Sequence, residues 1–137
     1  MQEIKTVNLK VNSLPKEEYI ALMEQARLMY NDFTSWAYTN GTYNKVKCHH
    51  ATYKVFTEKY KLVKTGLQQA IRDMAMEACK RNKLKGKPSI KKSLTVRLNA
   101  LCFTLRGKQL TLIGSAKRHK EILHVPEYYK EIYENWT

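Results

Sequence analysis

The sequence predicts an α+β fold in which a lobe of three helices interrupts an antiparallel sheet or small barrel. Apolar residues recur with a period of two near the N-terminus and again beyond Pro88, as in half-buried strands. Between these parts they recur with the helical period of about 3.6 residues. A lone first strand is not stable, so we expect it to pair with the later strands. The expected domains are 1–12 plus 88–137, which is β-rich, and 13–87, the inserted helical lobe.

The first strand and the first helix are separated by a change of period. Residues 5–12 alternate between polar and apolar side chains, which predicts a half-buried strand. Pro15 suits the first position of the next helix, because proline has the φ angle that a helix needs. Asn40-Gly41 predicts the end of this helix, since glycine tolerates the left-handed conformation found there. The apolar stripe of the helix consists of Tyr19, Leu22, Met23, Ala26, Met29, Tyr30, Phe33 and Ala37.

Two further helices are expected before Pro88. The second covers about His50 to Lys61 and carries Tyr53, Phe56 and Tyr60 on one side. Thr65 is the expected N-cap of the third helix. Apolar residues from Leu67 to Cys79 keep unbroken helical spacing, and the Lys-Gly-Lys-Pro run at 85–88 is expected to end the helix.

The sequence beyond Pro88 predicts strands. Residues 106–109 resemble a tight hairpin turn, with Gly107 at a position that can need positive φ. A further strand is expected at 121–125, and Pro126 is expected to open a short terminal helix. The alternating apolar residues that predict the earlier strand faces are Leu94, Val96 and Leu98, then Leu101, Phe103 and Leu105, then Leu110 and Leu112.

Positive charge is concentrated in one third of the chain. The sequence has 25 Lys and Arg against 12 Asp and Glu, a net charge of +13. No acidic residue lies between Glu77 and Glu121, and this stretch holds thirteen of the cations. A surface that serves only solubility mixes both signs, so this distribution favours a polyanionic partner.

Other features limit the classes of protein. No apolar run is long enough to cross a membrane, and the N-terminal residues lack the apolar core of a signal peptide. Cys48, Cys79 and Cys102 are odd in number and scattered, so we expect reduced thiols in a cytoplasmic protein with no membrane partner.

Three stretches resemble the N-terminal region of OrfB/TnpB-type transposon proteins. Residues 62–75 look like that family's helix with a Gln and an Arg four residues apart, here Gln68 and Arg72. Tyr30-Asn31 is similar to its recurrent Tyr-Asn pair. Residues 88–92, which lead through Arg97 to the hairpin and to Pro126-Glu127-Tyr128-Tyr129, are similar to its proline-lysine segment, its hairpin and its closing proline-aromatic segment.

The resemblance implies a wedge-like oligonucleotide-binding barrel interrupted by a helical recognition lobe, also described as a helix-turn-helix segment. It implies binding of guide RNA and of an RNA–DNA hybrid, in a prokaryotic or viral context. The family's RuvC-like nuclease domain and zinc ribbon lie downstream, so a further domain or partner chain is expected to supply cleavage. The expected nucleic-acid-binding residues are Arg72, Lys80, Arg81, Lys83, Lys85, Lys87, Lys91, Lys92, Arg97, Lys117, Arg118 and Lys120.

We expect no catalytic residue, metal site or cofactor in the chain itself. A two-metal site needs several converging carboxylates, but the only aspartates are Asp32 and Asp73. Glu77 lies four residues from Asp73 and is expected to pair with Arg81. Residues 48–50, Cys-His-His, lack a second ligand pair at zinc-finger spacing.

Two alternatives remain open from the sequence. A small helix-turn-helix regulator would place a helix of the lobe in a major groove and would favour a dimer. A module that binds a membrane surface or a protein through its charge is the other alternative. Binding to structured RNA, duplex DNA and anionic vesicles distinguishes all three.

Overall fold

Three helices precede a three-stranded antiparallel sheet in the computed structural model, which describes residues 14–88, 90–98, 102–115 and 117–123. The helices are α1 (Lys16–Asn40), α2 (Lys45–Lys59) and α3 (Thr65–Asn82). The strands are β1 (Phe103–Arg106), β2 (Gln109–Leu112) and β3 (His119–Ile122). The predicted α+β class is confirmed. The described strands form an open sheet that does not close into a barrel.

The first helix agrees closely with the prediction. Pro15 is the N-cap, one residue before the helix rather than its first residue, and Gly41 ends it in the left-handed conformation with φ 63°. The apolar stripe is buried apart from Tyr19 and Met23, which are partly buried, and Phe33 is fully enclosed. Within the described residues, no helix combines the length and apolar character that a membrane span requires.

The second helix begins five residues before its predicted start. The side chain of Asn44 accepts a hydrogen bond from the Lys47 amide at 3.0 Å, so Asn44 is an N-cap that the apolar pattern did not reveal. Cys48, Thr52 and Phe56 are buried on one side of this helix, and Tyr60 is its buried C-cap.

The third helix packs against both others and forms the centre of the core. Its N-cap is Lys64, which makes no side-chain capping bond, and Thr65 is its first residue, so the prediction that Thr65 caps the helix is wrong by one position. Ile71, Ala75 and Met76 are enclosed against α1 and α2.

The hairpin is confirmed, with Phe103 opposite Leu112 and Arg106 opposite Gln109. Gly107 has φ 55°, as the tight turn requires. The predicted strand at 121–125 lies two residues earlier, as β3, where His119 pairs with Leu112. The predicted strand at 5–12 and the terminal helix from Pro126 lie outside the described residues, so insertion of the lobe into a sheet stays a prediction.

The strand predicted at 94–98 is not seen among the described residues. Leu94, Val96 and Leu98 are partly buried against the core while Thr95 and Arg97 are exposed, but no ladder joins these residues to a described strand. Alternation reports which side of an extended chain faces the core, and that does not require a paired strand.

Two residues in the first turns of α1 attach the sheet to the helices. One carboxylate oxygen of Glu18 accepts from Ser115 Oγ at 2.7 Å and from Ser115 N at 3.0 Å. Its other oxygen lies 2.8 Å from His119 Nε2, and Tyr19 Oη donates to the Ile113 carbonyl at 2.9 Å. Gly114 is buried in this contact, where an added Cβ would lie 2.5 Å from the Lys117 carbonyl oxygen and 2.9 Å from Glu18 Oε1.

Candidate nucleic-acid interface

The C-terminal end of α3 begins the basic region. Lys80 and Arg81 lie exposed in its last turn, where the helix dipole favours cations. Lys83 and Leu84 then take left-handed conformations, with φ 53° and 55°. The amides of Lys83, Leu84 and Lys85 donate to carbonyls of Lys80, Cys79 and Asn82. These amides are used in ending the helix, so anion binding here depends on the side chains.

One face of α1 holds the main chain beyond this turn. Tyr38 Oη donates to the Lys85 carbonyl at 3.1 Å. Asn31 Nδ2 donates to the Lys91 carbonyl at 3.1 Å, and Asn31 Oδ1 accepts from the Lys91 amide at 2.9 Å. Arg27 Nη1 also donates to the Lys91 carbonyl, at 3.1 Å. Positions 27, 31 and 38 share a helical face, so the segment runs back along α1.

We name residues 83–92 the basic strap. All of its lysines are exposed: Lys83, Lys85, Lys87, Lys91 and Lys92. The Lys91 ammonium also lies 5.3 Å from the centre of the Tyr30 ring. Both residues of the Tyr-Asn pair thus contact Lys91: Tyr30 contacts the side chain of Lys91, and Asn31 contacts its main chain. The strap therefore presents its charges on a backbone that is hydrogen-bonded to α1 at Lys85 and Lys91.

The sheet carries a second group of cations. On its polar face, Thr104, Arg106, Gln109, Thr111 and Lys120 line a shallow depression of about 200 Å³. Lys117 and Arg118 are exposed in the connection between β2 and β3. Of these cations Arg106 was not among the predicted binding residues. Its place on this face results from the register of the hairpin.

Arg72 does not lie on an exposed helix flank as expected. Its side chain is only 15% exposed and binds Asp73 Oδ1 at 2.9 Å. Its Nη1 also lies 3.1 Å from His49 Nδ1 on α2. Arg72 therefore links α2 to α3, and a phosphate that binds it must compete with Asp73.

Arg97 is 75% exposed but is also paired. The expected Glu77–Arg81 pair is wrong, because Glu77 Oε2 binds Arg97 at 2.8 Å and Oε1 lies 3.4 Å from the Lys45 ammonium. Both cations lower the pKa of Glu77, chiefly through the Arg97 hydrogen bond and then the Lys45 hydrogen bond. Glu77 thus pairs with Lys45 and Arg97, which are distant in sequence, instead of with Arg81 four residues along the same helix.

The Cys-His-His run at 48–50 is tied into the helical lobe. Cys48 is buried, which raises the pKa of its thiol to about 11, and His49 contacts Arg72 and the Tyr53 ring. In the part of the chain that the structure describes, no three His, Cys, Asp or Glu side chains are grouped as a metal site needs.

Several residues of this site were missed from sequence. Arg27 and Tyr38 hold the strap, and Lys45 faces Glu77. For Arg27 and Tyr38 the sequence offers one indication, which is that their spacing from Asn31 places all three on one side of a helix. Nothing in the sequence indicates the role of Lys45, since its partner Glu77 is 32 residues away.

Comparisons of the chain with protein-family models, with curated proteins and with solved structures give no match. The function of the strap and of the sheet face is therefore argued from the chemistry of this chain.

Proposed function

We propose that the chain binds the phosphate backbone of nucleic acid through the basic strap. One observation carries this proposal: the strap's main chain is hydrogen-bonded to α1 at Lys85 and Lys91, while its five lysines are exposed. Lysines on a fixed backbone lose less freedom on binding than lysines on a free loop. Contacts of this kind give affinity without reading sequence.

The length of the strap fits a short run of phosphates. The helix against which it lies rises about 16 Å between Arg27 and Tyr38, at about 1.5 Å per residue. Consecutive phosphates of one strand are separated by about 3.4 Å of rise along the duplex axis, so a strap parallel to this axis spans the rise of about five phosphates.

The polar face of the sheet supports the same function. Arg106 and Lys120 supply charge there, and the hydroxyls of Thr104 and Thr111 are donors of the kind that bind phosphate oxygens. The connection with Lys117 and Arg118 extends this basic surface. We propose that it contacts a second part of the same ligand.

The ligand that we propose is guide RNA or an RNA–DNA hybrid, in line with the resemblance to the N-terminal part of a TnpB-like protein. We also propose that the chain is intracellular and does not cut the ligand itself. The carboxylates of Asp73 and Glu77 are engaged by Arg72, Lys45 and Arg97, which supports binding without metal-dependent cleavage.

The helix-turn-helix alternative has less support. A recognition helix presents an exposed face to a groove. Here α3 packs against both α1 and α2, which leaves only part of its surface accessible. The strap is the better candidate for the contact.

The salt dependence of binding tests the proposal. For a labelled duplex or RNA hairpin, log K against log salt should have a slope of about −4 to −5, at about 0.9 counterions per phosphate. Replacing Lys83, Lys85 and Lys87 with Ala should reduce the slope by about 2 to 3.

A variant with Lys16, Lys54 and Lys61 replaced by Ala is the matched control. It removes the same charge from exposed lysines outside the strap and should keep the wild-type slope. A wild-type slope near zero, or equal slopes for the two triple variants, would show that the strap is not a phosphate-binding surface.

A further inference from the structure

A cleft beside the C-terminal half of α3 contains an unusual arrangement of charge. It lies between the α1–α2 connection and the last turns of α3, has a volume of about 790 Å³, and is lined by residues 41–46 with Met76, Glu77 and Lys80. The Glu77 carboxylate on its wall binds Lys45 from α2 and Arg97 from the segment before β1. Two parts of the chain therefore converge on one carboxylate.

The surroundings of Glu77 are strongly positive. Lys45 and Arg97 bind this one carboxylate, Lys80 lines the same cleft, and Lys47 lies exposed in the same first turn as Lys45. The first turn of α2 contains no acidic residue, although the helix dipole favours acids at that end. Clustering cations here opposes folding unless an anion offsets them.

We propose that this cleft is a phosphate-binding site for a nucleic-acid strand, in which Glu77 occupies the phosphate position until the strand arrives. The proposal rests on the nucleic-acid binding proposed above and adds a second site. A phosphate presents two oxygens to a guanidinium as a carboxylate does, so it can replace Glu77 on Arg97 and Lys45. The side chains of Lys45, Glu77 and Arg97 are 45%, 42% and 75% exposed, so the pairs that must break are weak.

The cleft also fits a nucleotide better than a free ion. The ring of Tyr43 is 41% exposed and lines the cleft, so a base attached to the bound phosphate has an aromatic surface on which to stack. Glu77 therefore acts as an internal competitor that strands displace and that weakens binding of other anions.

Glu77→Gln tests the proposal because it removes the competitor and keeps the shape. Affinity for a labelled single-stranded RNA of about 20 nucleotides should rise by about twofold to tenfold, the range that one or two exposed ion pairs are worth. The salt slope should steepen by about 0.7 to 1.4, for one or two further phosphate contacts. Adding Arg97→Gln to this variant should cancel the gain.

Glu17→Gln is the matched control, since it removes an exposed carboxylate at the opposite end of α1. Thermal unfolding checks that both variants are folded. If Glu77→Gln binds no more tightly than Glu17→Gln while the strap lysines still set the slope, the cleft proposal is wrong and the proposed function stands. If the wild-type slope is near zero, the proposed function itself fails.

Inorganic phosphate distinguishes the two sources of the anion. Chemical shifts of residues 43–47 should move on adding the RNA and should move little with millimolar phosphate alone. Saturable phosphate binding that RNA does not displace would overturn the assignment to a nucleic-acid strand.

Discussion

Asn31 and Lys91 exchange two hydrogen bonds across 60 residues of sequence, with the Asn31 carboxamide pairing with the Lys91 amide and carbonyl at 2.9 and 3.1 Å. The side chain thus pairs with the strap as a neighbouring strand would. This pairing satisfies both main-chain groups of Lys91 and leaves its ammonium exposed.

Asn31→Ala should release the strap around Lys91. A hydrogen bond contributes about 0.5–1.5 kcal/mol, so loss of the bond to its amide should make Lys91 exchange that hydrogen about 2 to 13 times faster. Hydrogen exchange resolved by residue measures this. Ser35→Ala, an exposed position one turn further along α1, should leave the rate unchanged. Equal rates in the Asn31 variant and wild type would contradict the pairing.

Gly114→Ala should weaken the contact between α1 and the sheet. A methyl group would lie 2.5 Å from the Lys117 carbonyl oxygen, so the main chain must shift. Overpacking of this kind costs about 1–3 kcal/mol, which urea unfolding measures. Gly107→Ala is the comparison, because no atom lies within 4 Å and only its positive φ opposes the substitution. A Gly114 variant as stable as wild type would show that the contact is loosely packed.

The stability of the same contact should fall in acid. Hydrogen bonds from the Ser115 hydroxyl and then from its amide lower the pKa of Glu18 below its usual 4.5. A carboxylate with a lowered pKa stabilises the folded state above its unfolded-state pKa, and this contribution is lost as the pH falls through the folded-state value. The free energy of unfolding should therefore drop between about pH 5 and pH 3.

Glu18→Gln should flatten this part of the pH profile, because glutamine does not titrate. Glu58→Gln, an exposed carboxylate on α2, should retain the wild-type drop. If the Glu18 variant and wild type lose stability in parallel, another group is responsible for the acid sensitivity.

The three cysteines should resist thiol reagents in the folded protein. Cys48, Cys79 and Cys102 are buried, and burial raises the pKa of Cys48 to about 11 and raises that of Cys79. Little thiolate exists at neutral pH, and thiolate is the reactive form. A disulfide reagent should label all three thiols after denaturation and almost none before it.

An introduced exposed thiol provides the positive control for labelling. Ser35→Cys places one on the outer side of α1 and should react at once. A rapid phase of one or more equivalents in the wild-type protein would contradict the burial.

The helices could be predicted where the buried residues recur with the period of a helix. The stripes of α1 and α3 have that period, so Phe33 and Ile71 fall in the core as predicted. The start of α2 depends instead on one hydrogen bond, from the Lys47 amide to the Asn44 side chain, and the apolar pattern contains no sign of it. Residues 94–98 pair with no described strand. A period of two in the apolar residues indicates which side chains face the core, but it does not indicate that the segment is paired in a sheet.

The composition of the candidate site was predictable and its geometry was not. The acid-free stretch identifies the strap lysines directly. Their attachment to α1 joins residues 47 to 64 positions apart, and such contacts depend on the packed tertiary structure. Arg72 shows the same limit, because its position on α3 suggested exposure while its partner His49 on α2 covers it.

The first helix has a consequence for the thermodynamics of binding. Its first turns hold the sheet through Glu18 and Tyr19, and the face with Asn31 and Tyr38 holds the strap. A ligand that binds only the folded strap raises the free energy of unfolding, by about 2.7 kcal/mol at 100 times its dissociation constant. Because the strap and the sheet share this support, a ligand short enough to reach only the strap should also slow the opening of the sheet.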